Sequence, residues 1–162
     1  MAKISVITPT NSNDWYFNAR KSMMRQIEKD WEWIVIANGN FQFTFKEEDP
    51  RIKIIKSVSN STNVGALKAE ACQHVTSKYA VEFDHDDELD VRCLSEVLKA
   101  FESNDCVFVY SDDAIVQSDG SPKIYGAYYG WDTYIGQFIG EKEENLVAHK
   151  RPLLIPQNVS RI

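Results

Sequence analysis

The stretch that decides the fold is Tyr79-Ala80-Val81-Glu82-Phe83-Asp84-His85-Asp86-Asp87. Its first five residues form an apolar-leaning run, which predicts a short buried strand. The three aspartates that follow repel one another unless a cation or hydrogen-bond donors compensate their charge. The pattern therefore favours a divalent metal or a polyhydroxyl ligand at the end of this strand. An acidic, solvated loop that caps the next helix is the alternative interpretation.

Other short apolar runs predict further buried strands on either side of this stretch. They lie at residues 4–8, 33–37, 52–55 and 106–110. Pro9 closes the first of these runs, and Asn38-Gly39-Asn40 is a strong turn signal after the second.

Helical patterns separate these strands. Asn13 or Asp14 is expected to cap a first helix, and Asp90 is expected to cap a later one. The composition of residues 66–75 favours a helix between them. The first and last helices are predicted to bury one face each, formed by Trp15, Ala19, Met23 and Ile27 and by Leu94, Val97, Leu98 and Phe101.

Strands that alternate with helices predict an α/β fold, with a mostly parallel sheet and helices on both faces. In such folds ligands bind at the carboxyl ends of the strands. Three polar segments follow predicted strands, and we expect them to converge on one site. They are Thr8-Pro9-Thr10, Asn38-Gly39 and the acidic stretch from Asp84 to Asp87.

Composition excludes several classes of protein. The 162-residue chain has a net charge of -6 and no visible cluster of Lys and Arg, which argues against a nucleic-acid partner. Cys72, Cys93 and Cys106 are too few and too widely spaced for a disulfide framework or a zinc site. A strand pattern begins almost at Met1, and no apolar run has the length of a membrane span, so we expect a cytoplasmic protein.

Other metal and phosphate motifs do not fit. An EF-hand loop beginning at Asp84 would need glycine at its sixth position and glutamate at its twelfth, where this chain has Leu89 and Ser95. The sequence contains neither a Gly-x-x-x-x-Gly-Lys phosphate loop nor a Gly-x-Gly-x-x-Gly fingerprint. His74, His85 and His149 lack metal-ligand spacing and are interpreted as structural residues.

Five segments, in order, together resemble the inverting family 2 glycosyltransferases. They are Ile4 to Thr10, Ser22 and Gln26 before Trp31 to Ile36, Asn63-x-Gly65 with Lys68, Phe83 to Leu89, and Val109 to Asp112. The resemblance implies a GT-A fold, which is a Rossmann-like sheet that binds a nucleotide-diphosphate sugar. It also implies metal-dependent transfer of the sugar, with inversion, to a hydroxyl of a glycan or another acceptor.

The resemblance also implies roles for individual residues. Mn²⁺ or Mg²⁺ would be held at an Asp-x-Asp motif, with Asp86 or Asp87 as the best ligand and Asp84 as a further one. Lys68 would reach the phosphates, although a solvated helix lysine is the alternative. The residues expected to bind the nucleotide sugar are Pro9, Thr10, Asn11, Asn38, Lys68, Asp84, Asp86 and Asp112.

The chain departs from the family pattern at two positions of the expected nucleotide site. Asn38 stands where an aspartate is common, and an asparagine can donate as well as accept, so a preference for uracil does not follow. Asn11 stands where an aromatic residue is frequent. Trp15 or Tyr16 is the expected substitute for stacking.

The resemblance divides the chain in two. Residues 1–112 are expected to form the nucleotide-sugar-binding core. Residues 113–162 are expected to hold a hairpin that turns at Asp119-Gly120, followed by the irregular start of a truncated acceptor-side region. The family's general base usually lies beyond this point, so the catalytic residue is unknown. A non-catalytic nucleotide-sugar-binding module or an inactive fragment is the alternative to an enzyme.

Overall fold

The computed structural model describes residues 2–59, 62–104 and 106–110, together with segments 114–116, 122–124, 137–138, 149–150 and 159–161. The chain forms two compact units, Met1–Leu98 and Lys99–Ile162. The elements up to the end of the third helix are β1 (Ile4–Thr10), α1 (Asn13–Arg25), β2 (Trp31–Ala37), β3 (Ile52–Lys56), α2 (Val64–Cys72), β4 (Tyr79–Glu82) and α3 (Cys93–Ser103).

The first four strands form one parallel sheet in the order β3-β2-β1-β4. The prediction of a parallel α/β sheet is therefore confirmed. The connection through α1 joins β1 to β2, on one side of β1. The connection through α2 runs in the opposite direction, from β3 to β4 on the other side of β1. Right-handed crossovers in opposite directions place their helices on opposite faces of the sheet.

Neighbouring residues of β2 show both faces of the sheet directly. The Trp33 ring stacks on Tyr16 of α1, with ring centroids 5.3 Å apart. Ile34, the next residue, belongs to a buried apolar cluster with Leu67 and Ala71 of α2. Because successive side chains of a strand point to opposite faces, α1 and α2 cover opposite sides of β2.

Pro9 ends the ladder between β1 and β4. The Phe83 N–H donates to the Ile7 carbonyl at 3.1 Å, so alternate residues of β1 direct their backbone groups towards β4. Pro9 is the next residue in that series, and it has no N–H to donate. The ladder with β2 continues to Thr10, so β1 leaves β4 at its carboxyl end while remaining paired with β2.

The buried face of α1 differs from the predicted face. The buried residues are Tyr16, Ala19, Ser22 and Met23, whereas Trp15 is 46% exposed and Ile27 is 57% exposed. The prediction was wrong at Trp15 because the helix buries residues at mixed steps of three and four, and at Ile27 because the helix ends at Arg25. The N-cap is Ser12, whose side chain accepts from the Trp15 N–H, and not Asn13 or Asp14.

The other helices begin at different residues from those predicted. The helix α2 starts at Val64 and ends at Cys72, so Lys68 lies two residues further into it than the sequence indicated. Leu94, Val97 and Leu98 of α3 are buried as predicted. The helix α3 starts at Cys93, and Asp90 does not occupy its N-cap position.

A buried carboxylate holds the amino ends of the strands together. Glu32 accepts hydrogen bonds from Ser5 Oγ at 2.5 Å, from the Thr76 N–H at 2.8 Å, and from Lys53 Nζ at 2.6 Å. Burial alone would raise the pKa of Glu32, but these donors lower it to about 2. This network lies at the end of the sheet opposite the expected ligand site.

A second buried carboxylate fixes the long connection between β2 and β3. Glu47 accepts two hydrogen bonds from Arg20 at 2.9 Å and one from the Tyr16 hydroxyl. The hydrogen bonds from Arg20 are the main reason why the pKa of Glu47 falls to about 2. Phe43 and Phe45 pack their rings on Tyr16 with centroids 5.2 and 5.1 Å away. The connection is thus ordered by packing on α1 and not by a strand of its own.

The second unit contains short strands. They are β5 (Phe108–Tyr110), β6 (Ala114–Val116), β7 (Pro122–Ile124), β8 (Gln137–Phe138), β9 (His149–Lys150) and β10 (Val159–Arg161). The strands β6 and β7 pair antiparallel, and the turn predicted at residues 119–120 lies outside the described residues. Within the described part of the chain, no helix is long and apolar enough to cross a membrane.

Candidate functional site

Thr10, the last residue of β1, joins the three segments that were expected to converge. Its carbonyl accepts from the Asn38 N–H at 2.8 Å, which ties the turn after β2 to β1. Its hydroxyl lies 2.8 Å from Nδ1 of His85, in the segment after β4. The convergence of these segments at the carboxyl ends of the strands is therefore a feature of the structure.

Thr10 lies at the point of the sheet where successive strands are added on opposite sides of β1. The chain passes from β1 to β2 on one side, and β4 lies on the other side of β1. In open parallel sheets the crevice at such a point is the usual ligand site. Pro9 contributes because the ladder between β1 and β4 stops there.

The acidic segment forms a tight turn on the surface. The Asp87 N–H donates to the Asp84 carbonyl at 3.2 Å, and Asp84, Asp86 and Asp87 are all exposed. Within the turn only His85 is partly buried, between Thr10 and the Trp15 ring, whose centroid is 6.0 Å away. His85 thus anchors the turn, as its interpretation as a structural residue indicated.

Lys68 pairs with the acidic turn. Its Nζ lies 2.9 Å from Oδ1 of Asp84 and 3.3 Å from Oε2 of Glu82. Burial would lower the pKa of Lys68, but the hydrogen bonds and charges of these two carboxylates raise it above the ordinary value. The side chain is 20% exposed, so Lys68 is not the solvated lysine that was considered as an alternative.

The turn after β2 presents a buried acceptor. Asn38 Oδ1 is buried and has no hydrogen-bond partner in the described part of the chain. Gly39 takes a positive φ of 56°, which other L residues rarely adopt, and the Phe41 N–H closes the turn on the Asn38 carbonyl at 3.0 Å. A buried amide oxygen without a donor costs free energy, so a ligand with an N–H or O–H group at this point would be favoured.

A third carboxylate, Glu70 of α2, fixes the segment after β3. It accepts from Ser57 Oγ at 2.8 Å, from the Val58 N–H at 2.9 Å and from Ser59 Oγ at 3.2 Å. The backbone hydrogen bond from Val58 and those from the serines lower the pKa of Glu70. Sequence reasoning missed this contact, which orients the helix that carries Lys68.

The expected site residues differ in accessibility. Pro9 and Thr10 are buried, Asn38 and Lys68 are partly buried, and Asn11 is exposed. Asp112 lies outside the described residues. Of the two candidates for stacking, Tyr16 is buried at 1% exposure against Trp33, so only Trp15 presents an accessible ring.

Metal ligands are not preassembled in the described residues. No group of three or more His, Cys, Asp and Glu side chains in that part of the chain lies close enough to hold a metal ion. The acidic turn instead offers single, exposed carboxylates. One or two carboxylates combined with phosphate oxygens is a frequent arrangement for Mg²⁺.

The fold is similar to that of TarS from S. aureus. A structure of TarS residues 1–349 matches 72% of this chain at 18% identity with a TM-score of 0.54, and a complex of that fragment with UDP-GlcNAc gives a TM-score of 0.55 at the same identity and coverage. This chain spans 39% and 37% of those two chains. The likeness supports the predicted GT-A fold. A search of curated protein sequences found no match.

The sequence profile of a known family covers most of the chain. Residues 5–152 match the family described as "Glycosyl transferase family 2". The match includes every segment of the candidate site, from Thr10 to the acidic turn. The protein belongs to glycosyl transferase family 2.

Proposed function

We propose that this protein binds a nucleotide-diphosphate sugar at the carboxyl ends of β1, β2 and β4 and transfers its sugar to an acceptor hydroxyl. The observation that carries the proposal is the junction at Thr10, which brings Asn38 and His85 to one point of the sheet. That junction ties the turn that carries Asn38 and the acidic turn, with which Lys68 pairs, to the end of β1. Membership of the family supplies the reaction class.

Lys68 and Asp84 are proposed to bind the donor by exchanging partners. In the structure Lys68 neutralises Asp84 at 2.9 Å. The ammonium group is charged at neutral pH, and the neighbouring carboxylates raise its pKa further. A diphosphate would compete for that charge, and Asp84 would then be released towards a cation or a sugar hydroxyl.

The acidic turn is proposed to hold Mn²⁺ or Mg²⁺ through Asp86 or Asp87, with Asp84 nearby. Hard carboxylate oxygens suit both ions, and their exposure leaves room for phosphate oxygens to complete the coordination. When bound, such an ion stabilises the diphosphate as a leaving group. The three carboxylates would otherwise repel the donor.

Asn38 is proposed to contact the base, and Trp15 to stack on a ring of the ligand. The buried Oδ1 of Asn38 can accept a hydrogen bond from a base N–H, while its Nδ2 can donate to a base acceptor. Trp15 is 46% exposed beside His85 at the same edge of the sheet. Pro9, Thr10 and Asn11 would line the pocket between these two residues.

The reaction proposed is a single displacement at the anomeric carbon. The acceptor oxygen forms the new bond, the bond to the diphosphate breaks, and the configuration inverts. A general base must take the acceptor proton. None of the residues described at the site is assigned to that role, and Asp112 is proposed only as a sugar contact.

The donor class is proposed from the site and from the relative. The TarS fragment was crystallised with UDP-GlcNAc and with UDP, which supports a UDP-sugar as the first donor to test. The asparagine at position 38 also allows other bases, so GDP- and CDP-sugars belong in the same panel.

The test combines binding with turnover. Nucleotide sugars are titrated calorimetrically with and without Mn²⁺, and the same mixtures with candidate acceptors are assayed for nucleotide release. We expect metal-dependent binding of one donor and release only with an acceptor. Binding without transfer or hydrolysis would instead indicate a non-catalytic nucleotide-sugar-binding module, and the absence of binding would contradict the proposal.

A further inference from the structure

Gln26, the residue that follows α1, has a fully buried polar side chain. It is 0% exposed, and a buried amide needs partners for both its oxygen and its nitrogen. Nε2 donates to the Asp90 carbonyl at 2.6 Å, and Oε1 accepts from the Leu94 N–H at 3.1 Å. These two partners lie in the segment that leads from the acidic turn into α3, and Nε2 also donates to the Ser22 carbonyl of α1 at 3.4 Å.

The bond to Leu94 replaces the usual cap of α3. The first N–H groups of a helix have no partner within it, and a side chain just before the helix normally accepts from one of them. Here Asp90 Oδ1 is occupied by the Arg92 N–H at 2.9 Å, two residues before Leu94. Gln26 therefore caps α3 from a position 68 residues earlier in the chain.

The backbone adds a second tie at the same place. The Ile27 N–H donates to the Val91 carbonyl at 2.9 Å. The other end of the acidic segment is held by β1, through the bond from the Phe83 N–H to Ile7 and the contact between His85 and Thr10. The acidic segment is thus anchored before and after its exposed carboxylates.

The hydrogen bonds at both ends of the acidic segment oppose the electrostatic repulsion within it. Asp84, Asp86 and Asp87 carry like charges within four residues, and their repulsion favours opening of the turn. Lys68 pairs with Asp84 at the start of the turn and with Glu82 before it. The Gln26 amide supplies neutral hydrogen bonds that hold the segment without reducing the negative charge available to a cation.

We propose that Gln26 is a positioning residue that holds the acidic turn where its carboxylates can share a cation with a bound diphosphate. This inference rests on the proposed function, because it concerns the same nucleotide and metal site. Gln26 itself is buried and touches neither ligand. Its effect acts through Asp90 and Leu94.

The experiment uses the whole chain with Gln26→Met, Gln26→Glu and a control, Ser22→Ala. Methionine keeps the length of glutamine and loses every hydrogen bond of the amide. Glutamate keeps an acceptor for the Leu94 N–H and loses the donations to the carbonyls of Asp90 and Ser22. Ser22 is buried on the same helix, and its hydroxyl donates locally to the Ala19 carbonyl at 2.9 Å. The readouts are Mn²⁺ binding by electron paramagnetic resonance in the presence of UDP, the metal-free Kd for UDP, and Tm.

We expect Gln26→Met to raise the Kd for Mn²⁺ by about 10-fold at a temperature where the variant is folded, which is the lower end of the loss seen when residues that orient metal ligands are removed. Gln26→Glu is expected to raise it less, and Ser22→Ala not at all. The metal-free Kd for UDP is expected to stay within about 2-fold, because Lys68 and Asn38 lie on other elements. A purely structural role would lower Tm without this selective loss of Mn²⁺ binding.

The proposal is overturned if the folded Gln26 variants bind Mn²⁺ as the wild type does. It is also overturned if metal-free and metal-dependent UDP binding weaken equally. If Gln26→Met does not fold, Gln26→Glu decides the question by the same criteria. A wild type that binds no Mn²⁺ in the presence of UDP would contradict the proposed function itself, which is a distinct result.

Discussion

Lys68 on α2 lies 2.9 Å from Asp84, the first carboxylate of the acidic turn that follows β4. Lys68 is the cation that a diphosphate would contact, and Asp84 is one of the carboxylates that a metal ion would contact. Lys68 is therefore expected to contribute to donor binding more than to stability. An ion pair in which Asp84 is 50% exposed is screened by water and stabilises the fold little.

Replacement of Lys68 by Met tests this expectation. We predict that the Kd for UDP rises by about 10-fold or more, while Tm changes by a few degrees at most. Lys21→Met is the matched control, because Lys21 is an exposed lysine on α1. Equal UDP affinity of the Lys68 variant and the control, measured calorimetrically, would exclude Lys68 from the phosphate site.

Replacement of Asn38 by Asp tests the base contact. Aspartate keeps the acceptor oxygens and removes the donor, so it suits the N3–H of uracil and not the N3 acceptor of cytosine. We predict that the ratio of UDP to CDP affinity rises by at least about 10-fold, since an unpaired buried polar group costs about 1–3 kcal/mol. Asn40→Asp, at an exposed position of the same turn, is expected to leave the ratio unchanged. A constant ratio in the Asn38 variant would place the base elsewhere.

Acidification tests the Glu32 network. The pKa of Glu32 falls from its ordinary value of 4.5 to about 2 on folding. Its contribution to stability is therefore complete above about pH 4.5 and is lost as the pH falls towards 2. We predict that Glu32→Gln costs roughly 2–3 kcal/mol at pH 7 and flattens the decline of the free energy of unfolding in that window.

Urea denaturation at several pH values measures this decline. Glu47 also has a pKa of about 2, so part of the acid sensitivity is expected to remain in Glu32→Gln. Glu102→Gln serves as the control, because Glu102 is exposed. A wild-type slope in the Glu32 variant would show that its hydrogen bonds do not lower its pKa.

Tyr16→Phe tests the anchor of the connection between β2 and β3. The variant keeps the stacking on Trp33 and removes the hydroxyl that donates to Glu47. We predict a loss of about 1–3 kcal/mol in the free energy of unfolding, because the hydrogen bond is made to a charged group. Phe17→Leu, at an exposed neighbouring position, is expected to cost less. An unchanged midpoint of urea unfolding would contradict the role of the hydroxyl.

Local patterns in the sequence predicted the sheet and the place of the site. Short apolar runs marked β1 to β4, and the parallel arrangement followed from their alternation with helices. The topology rule then predicted that Thr10, Asn38 and the acidic turn converge, and their backbone and side-chain contacts confirm it. These features are local, or follow from rules that hold for most parallel sheets.

Other features depend on contacts between distant parts of the chain. The prediction of the buried face of α1 was wrong at Trp15, which lies on the exposed side of the helix, and at Ile27, which lies beyond the end of the helix at Arg25. Residues 41–50 contain no regular strand, and their order comes from Glu47 and the rings packed on Tyr16. Gln26 binds partners 64 and 68 residues away, which no local pattern encodes.

The central claim is that the acidic turn holds a cation that binds a nucleotide diphosphate. Calorimetric titration of UDP and GDP with and without Mn²⁺, on the wild type and on Asp86→Ala, tests it most directly. We predict that Mn²⁺ strengthens binding of one nucleotide by about 10-fold or more and that Asp86→Ala removes this gain, with Glu102→Gln as the control. Metal-independent binding that is unchanged in Asp86→Ala would contradict the claim.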